Sequence, residues 1–507
     1  MNLIHDVWIP VRRRSGAREK IAPWEVTDKY ADDPILELAA VRPDFNGALI
    51  QFLIGLLQTT CAPQGDSDWR KWLNNPPPPV KLKEKFESVA LAFNLDGDGP
   101  RFMQDLTIES EEKKTTVEVD NLLIDAPGEN ALMGNTDFFV KRKPNKLLCQ
   151  NCAAHAVLTL QLNSPEGGRG HLTGLRGGGP VSTIVMGNNL WATSWINVLN
   201  MSSFCSLACS EKENTADKFP WMTATRAGDK SITTSQDINP AQIYWSLPKR
   251  IRLIFKQGKV QCGLCGDGCD NFIAQYYLKT YGVKYKNIAH PLTPTYLKDN
   301  DLSSVHQREA VGYKFWSGYI FDCLDKDRNP AKVISVAMNR GISRDFRLWV
   351  YGYDMKKNKP KGWYEGVMPI ISIEDSQKRK SFSGYVVMLI LAADTVSSSL
   401  SKAVAKALNA GVFDIVRQRF WQETEAEFYR QLAILRDDVM RGGDGLSARQ
   451  AWRGYLSGKA EDIFNDMSQA DMIELVNAKR VAKAFNELKK YVRYGERLKT
   501  EILGLPK

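Results

Sequence analysis

Two cysteine pairs carry the plainest chemistry in this chain: Cys149-Gln150-Asn151-Cys152 and Cys262-Gly263-Leu264-Cys265. The CxxC spacing lets two sulfurs of one turn reach a single ion, and four thiolates bind Zn²⁺ tetrahedrally. Gly266 follows the second pair and suits the tight turn that aims backbone N–H groups at sulfur. A closed four-sulfur site is structural, because it leaves no open position for a reacting water. The ligand set expected is therefore Cys149, Cys152, Cys262 and Cys265, with Cys269 as a competing ligand. The plain alternative is a set of buried free cysteines.

The residues around the first pair point to an anionic polymer. Phe138-Phe139-Val140-Lys141-Arg142-Lys143-Pro144-Asn145-Lys146 sets aromatic rings beside four cations. Lys and Arg neutralise phosphates, and an aromatic ring stacks on bases or wedges between them. Two glycine-rich segments follow, Glu166-Gly167-Gly168-Arg169-Gly170 and Gly174-Leu175-Arg176-Gly177-Gly178-Gly179-Pro180. Neither fits a phosphate-binding P-loop, since no Lys-Ser or Lys-Thr follows. Glycine with arginine suits a nucleic-acid groove; ordinary turn chemistry is the competing reading. Catalysis finds little support. The five histidines fall in no HExxH or HxE spacing, and no carboxylate cluster reads as a two-metal nuclease site. His155 shares a helix face with Cys152 and reads as packed. The expectation is a binding protein, not an enzyme.

At 507 residues, two or three domains are expected. A net charge of +10 makes nucleic acid the first partner to consider. The opening MNLIHDVWIPV lacks the architecture of a signal peptide, and the most apolar run, Tyr385–Ala393, is too short to span a bilayer. With nine cysteines, four of them in two CxxC pairs, a reduced cytoplasmic setting with a metal is expected rather than disulfides.

The elements that must position these residues follow from pattern. Residues 1–20 read as a hairpin. Asp44 could cap a buried helix over Phe45–Thr60. Trp69 and Trp72 read as core, Pro76–Pro79 as a stiff spacer, and Glu109–Lys114 as a solvated charged turn. Asn189–Leu199 fits a strand or a short helix equally. Strands are expected within Ile243–Ile254 and at GYIFDCL, AKVISVAM and FRLWVYGY between residues 312 and 353, with a turn at Lys356–Lys361. Around Asp375–Arg379 the texture becomes helical. Apolar stripes run through Val386, Leu389, Ile390, Ala393, Val396 and Leu400, then Val416, Phe420, Phe428, Leu432 and Leu435. A third takes in Trp452, Leu456 and Ile463, and a fourth Leu475, Ala478, Ala482, Phe485 and Val492. The fold class expected is α+β. A large mixed α/β domain (1–378) with a zinc-type four-cysteine clip precedes a four-helix bundle (379–507).

The chain resembles the CasA family, the large subunit of the type I-E CRISPR surveillance complex called Cascade. The likeness rests on Asp6-Val7-Trp8-Ile9-Pro10-Val11, Pro100-Arg101-Phe102-Met103-Gln104 and Leu175-Arg176-Gly177-Gly178-Gly179-Pro180-Val181. It continues through Leu348–Met355 with Trp363-Tyr364-Glu365, then Glu423–Gln431, and both CxxC pairs fall in matching order. The resemblance implies a non-catalytic, cytoplasmic subunit that reads the PAM, the short motif flanking the target in duplex DNA. It implies that this subunit starts strand separation, so that guide RNA on other Cascade subunits can pair, and helps recruit a helicase-nuclease. It places Phe139, Val140 and Lys141 near the guide crRNA end and Gly167, Gly168, Arg169 and Gly170 at the PAM. It places Lys279 in the minor groove, with Lys284 if a gap falls differently, and a duplex-opening wedge at Asn339 and Arg340 on a hairpin before Leu348. A stand-alone zinc-stabilised RNA-binding protein is the alternative.

Overall fold

The fold is that of a computed structural model. It describes every residue except 128–132, 134–146, 209–213, 309–311, 322–327, 342–345, 357–358, 372, 374, 470–477 and 507. The chain divides into two compact units. The first comprises Met1–Glu309, Asp327–Arg340 and Asp345–Val367, and the second Ala310–Lys326, Gly341–Arg344 and Met368–Lys507.

In the first unit the longest apolar segment becomes the axis. Helix α1 (Pro43–Cys61) starts with proline at a first-turn position, where its missing N–H costs nothing. The helix is buried on nearly every face, as its all-round apolar sequence requires. Asp44 lies inside the first turn rather than at the cap, where it holds Arg42 at 2.9 Å and the Tyr353 hydroxyl at 2.5 Å. Helices α2 (Asp66–Asn74) and α3 (Pro79–Glu87) follow. Trp69 is buried on α2, as expected for a core residue. Helix α4 (Gln150–Asn163) and α5 (Leu190–Ile196) pack on α1. Asn189 caps α5 by accepting from the Ala192 N–H at 2.9 Å, which settles the ambiguous segment as helix. Phe52, Phe93, Phe102, Trp221 and Trp245 form an edge-to-face aromatic core with most centroids 5–6 Å apart.

Most strands are short. β1 (Ile9–Arg13) pairs with β2 (Arg18–Ile21) and β3 (Ile35–Leu38), giving the expected N-terminal hairpin. β4 (Thr115–Glu118) and β5 (Leu148–Cys149) both pair with β9, while β6 (Ser182–Met186) belongs to another sheet. A two-residue strand β7 (Ile232–Thr233) runs parallel to β10 (Lys284–Tyr285). The long hairpin is β8 (Arg250–Gln261) with β9 (Gly268–Lys279), twelve residues each. β11 (Thr295–Lys298), β12 (Asp301–Ser304) and β13 (Arg328–Asn329) make a small sheet. The order β15-β14-β6 joins β6 to β14 (Arg347–Lys356) and β15 (Lys359–Pro369).

Two expected strands are helices. AKVISVAM forms α6 (Lys332–Asn339), and part of GYIFDCL forms a short helix, Trp316–Ile320. In α6 the buried residues are Val333, Ile334 and Ala337, which is helical spacing; the β-branched composition is misleading there. The second glycine segment is a core strut rather than a groove. Arg176 is 3% exposed and bonds Gln51 at 2.7 Å, Ser182 at 2.9 Å and Thr293 at 3.0 Å. Burial pushes this guanidinium down to about 10.

The second unit holds the bundle. Helix α7 (Ser376–Leu408) begins where the composition changes, capped by Asp375, and packs on α8 (Phe413–Met440), α9 (Leu446–Gln469) and α10 (Ala478–Val492). The first three stripes are buried as read. The fourth is shifted. Ala484, Leu488 and Val492 face inward at i, i+4 spacing, while Ala478 and Ala482 are exposed and Leu475 lies outside the described residues. The unit also takes in Tyr313, which stacks on Phe428 at 4.3 Å and bonds Thr424, a segment no composition shift marks. By length and composition α7 could cross a membrane, and its packing against the three other helices accounts for its apolar face.

A close approach between elements of the first unit sits on α1. A Cβ added at Gly47 would meet Trp363 at 2.7 Å and Tyr351 at 2.8 Å, and the Tyr351 hydroxyl bonds the Gly47 carbonyl at 2.7 Å. Gly47→Ala is expected to destabilise this unit by about 1–3 kcal/mol through overpacking. Urea unfolding followed by tryptophan fluorescence measures it; an unchanged midpoint would contradict the packing described.

Candidate functional site

The cysteine pairs meet at one end of the long hairpin. Cys149 ends β5 and caps α4, its sulfur facing the Cys152 N–H at 3.5 Å. Cys262 and Cys265 form the turn between β8 and β9. All four sulfurs lie within 4.8 Å of one another. Cys149 and Cys265 are 3.8 Å apart, far beyond a disulfide and close to the edge of a sulfur tetrahedron of about 3.8 Å around a Zn²⁺-sized ion. Cys149, Cys152 and Cys262 are buried. Hydrogen bonds from the Cys149 and Cys152 thiols hold the Cys262 sulfur far below the ordinary thiol range, and the same bonding raises Cys152. Cys269 stands outside the set, paired along the ladder with Val260. Lys20 bonds Asp267 at 2.6 Å and ties the cysteine turn to β2.

His155 follows on α4, between the Trp8 and Phe45 rings. Burial pushes it down to about 3, so it is a neutral core residue, as read.

At its far end β9 delivers Lys279 to the first glycine segment. The Tyr281 N–H donates to the Gly170 carbonyl at 2.8 Å. Gly170 has φ +83°, and a Cβ there would meet the Thr280 side chain at 2.7 Å. Only glycine serves this position without strain. Gly167, Gly168 and Arg169 are exposed beside it. Beneath them Lys249 is buried, bonding the Pro165 carbonyl at 3.0 Å; burial pushes it down to about 8. Gln161 of α4 bonds the Met103 and Lys249 carbonyls, each at 2.9 Å, and accepts the Lys249 N–H at 3.0 Å. The helix that starts at the cysteines therefore also holds the root of β8.

Lys279 is not free. It pairs with Glu111 and reaches the Glu112 carbonyl at 3.3 Å. Glu111 also holds Arg250, which bonds Asp105 at 2.5 Å. Although burial pushes the Glu111 carboxyl up, hydrogen bonds from Lys279, Thr107 and Arg250 pull it down to about 2. The charged turn Glu109–Lys114, expected to be merely solvated, thus supplies partners for four cations, since Glu109 also meets the buried Arg252 at 3.1 Å and Arg101 at 3.9 Å. The surplus of cations in Lys249, Arg250 and Arg252 was the available signal: charges inside a strand need acids nearby.

The wedge expectation needs correction. Asn339 and Arg340 end helix α6 rather than a hairpin. Asn339 is exposed, but Arg340 is 3% exposed. Its guanidinium lies 4.2 Å from the Trp69 ring centre, bonds Asp66 at 3.0 Å and the Val198 carbonyl at 3.1 Å. Its cation–π partner is the protein's own tryptophan, not an unpaired base. Phe139, Val140 and Lys141 lie outside the described residues. Lys284 is exposed on β10.

The family model for CRISPR-associated protein Cse1 matches residues 2–463. The chain belongs to the Cse1 family. Solved structures agree in fold across their length. The crystal structure of CasA from Thermus thermophilus shares 16% identity at a TM-score of 0.69, covering 97% of this chain and 99% of that one. Thermobifida fusca Cse1 gives 15% and 0.70, with 98% of each chain covered. A chain of a CRISPR RNA-guided surveillance complex gives 15% and 0.69, covering 97% and 99%. This Cse1 member thus combines the mixed α/β unit, the four-cysteine cluster and the helical bundle.

The cluster's donor set and geometry fit one divalent cation that favours thiolates. Titration with Co²⁺ is expected to saturate at one ion per chain with the intense charge-transfer bands of a tetrathiolate. Cys152→Ser is expected to weaken binding at least about tenfold. Equal saturation in Cys152→Ser would remove Cys152 from the set.

Proposed function

We propose that this Cse1 protein is the non-catalytic large subunit of a type I-E CRISPR RNA-guided surveillance complex, working in the cytoplasm. In this reading it recognises the PAM in double-stranded target DNA, helps open the duplex for guide-RNA pairing and helps recruit the helicase-nuclease. The observation that carries the reading is the Tyr281–Gly170 hydrogen bond. It joins the glycine loop and the Lys279 strand end, two elements far apart in sequence, into one exposed edge. Similarity to a chain of a surveillance complex supports the assembly.

Phosphates draw the duplex toward Arg169 and neighbouring cations, positioning it without reading sequence. The loop Gly167–Gly170 then brings backbone against the minor groove, where bulky side chains would stand in the way. Lys279 exchanges the Glu111 carboxylate for the negative potential of the groove. Asn339, presented at the end of α6 by the anchored Arg340, meets the first base pair. Phe139, Val140 and Lys141 face the guide crRNA end and the other Cascade subunits. The four cysteines hold a structural Zn²⁺, which supplies rigidity and no step of the reaction.

Lys279→Ala is expected to weaken PAM-dependent duplex binding of the reconstituted complex about tenfold and to reduce the salt slope by about one, with guide-RNA assembly unchanged. Gel-shift titration over a salt series reads both. Identical binding at every salt concentration would remove Lys279 from the interface. Binding of both PAM and PAM-less targets by the purified chain alone would favour a stand-alone nucleic-acid binder.

A further inference from the structure

We propose that the helical bundle carries a pocket for a phosphomonoester with an attached ring, a nucleoside monophosphate or the phosphorylated end of a strand. The pocket is a cavity of about 460 Å³ between α9, α10 and the C-terminal turn. That is room for a mononucleotide.

Its floor is α9, where Gly454 and Gly458 stand one helical turn apart on one face. A Cβ added at either meets nothing within 4 Å, so the absent side chains leave open space rather than a packed seam. Three cations surround that space: Arg453, Arg493 and Lys499. Arg493 is matched by Glu461, with one contact at 2.9 Å, and among the described residues the other two cations have no carboxylate partner. Arg453 donates one Nη to the Arg493 carbonyl, while its buried Nε has no acceptor among the described residues. Lys499 makes no ion pair or hydrogen bond through its ammonium among the described residues. Leu505 and Pro506 close one side. That wall is fixed, because the Leu505 N–H bonds the Lys499 carbonyl at 3.0 Å and Arg449 holds the Leu503 carbonyl at 2.5 Å. On the rim Tyr494 is 73% exposed and offers a ring on which a base can stack.

The test is calorimetric titration of the full chain with AMP, ribose 5-phosphate and adenosine. AMP is expected to bind, with adenosine at least about tenfold weaker for want of the phosphate. Lys499→Gln is expected to weaken AMP about tenfold and leave adenosine unchanged. Tyr494→Ala is expected to bring AMP down to the level of ribose 5-phosphate without altering the latter. Neither side chain makes a hydrogen bond or ion pair among the described residues, so both variants should keep the wild-type melting temperature. Equal binding of 5′-phosphorylated and 5′-hydroxyl oligonucleotides assigns the pocket to free nucleotides, and a preference for the phosphorylated form assigns it to strand ends. No AMP binding at millimolar concentration, or AMP affinity unchanged in Lys499→Gln, would overturn the proposal.

Discussion

Four sulfurs from two segments some 113 positions apart must meet at one point, and the first unit is arranged around that meeting. The Cys149 N–H reaches the Cys262 sulfur at 3.3 Å, and the Gly263 N–H donates to the Leu147 carbonyl at 2.9 Å. The backbone itself is therefore stitched across the cluster. Closing so long a loop costs conformational entropy, and a cation shared by the four thiolates would offset it. Helix α4 starts at this point, with Cys149 as its cap, and so inherits a fixed origin.

That origin fixes the hairpin at both ends. The cysteine turn clamps the tip of β8 and β9, and Gln161, near the far end of α4, grips both sides of Lys249 at the root of β8. Between these clamps β9 runs through twelve residues, roughly 36 Å of extended chain. The distal product is an edge where Lys279, Thr280 and Tyr281 lie against Gly170. The acids of residues 105–111 balance the cations that the strand carries inward, since a buried guanidinium without a partner is costly. The edge is held from behind by packing and ion pairs, and this leaves its front free for a ligand.

Much of this was legible in the sequence, for reasons that can be named. The CxxC pairs were readable because metal geometry constrains spacing locally, whatever the distance between pairs. The first three bundle stripes were readable because each helix buries one face at a fixed period. Helix α10 misled because alanines fit either side of a helix: Ala478 and Ala482 fall near heptad spacing yet face water, while Ala484 is inside. α6 misled because Val333, Ile334 and Val336 look like a strand until packing selects the helix. Glu111 was missed because a carboxylate in a charged run declares no partner. Its partners, Arg250 and Lys279, are set by tertiary contact across more than a hundred residues. Arg340 and Arg176 show the same limit, since cations that read as ligand-facing turned inward to Trp69 and Gln51.

The measurement that bears most directly on the proposed duplex-reading role of this edge is a gel-shift titration with Gly170→Ala. A surveillance complex lacking this chain would be reconstituted with wild-type or variant protein and mixed with matched duplexes that carry or lack the PAM. The substitution strains the backbone at φ +83° and forces the loop from the Lys279 strand, while the cysteine cluster is untouched. The expected result is loss of the PAM preference with guide-RNA assembly intact. Full PAM discrimination by the variant would contradict the assignment of this edge.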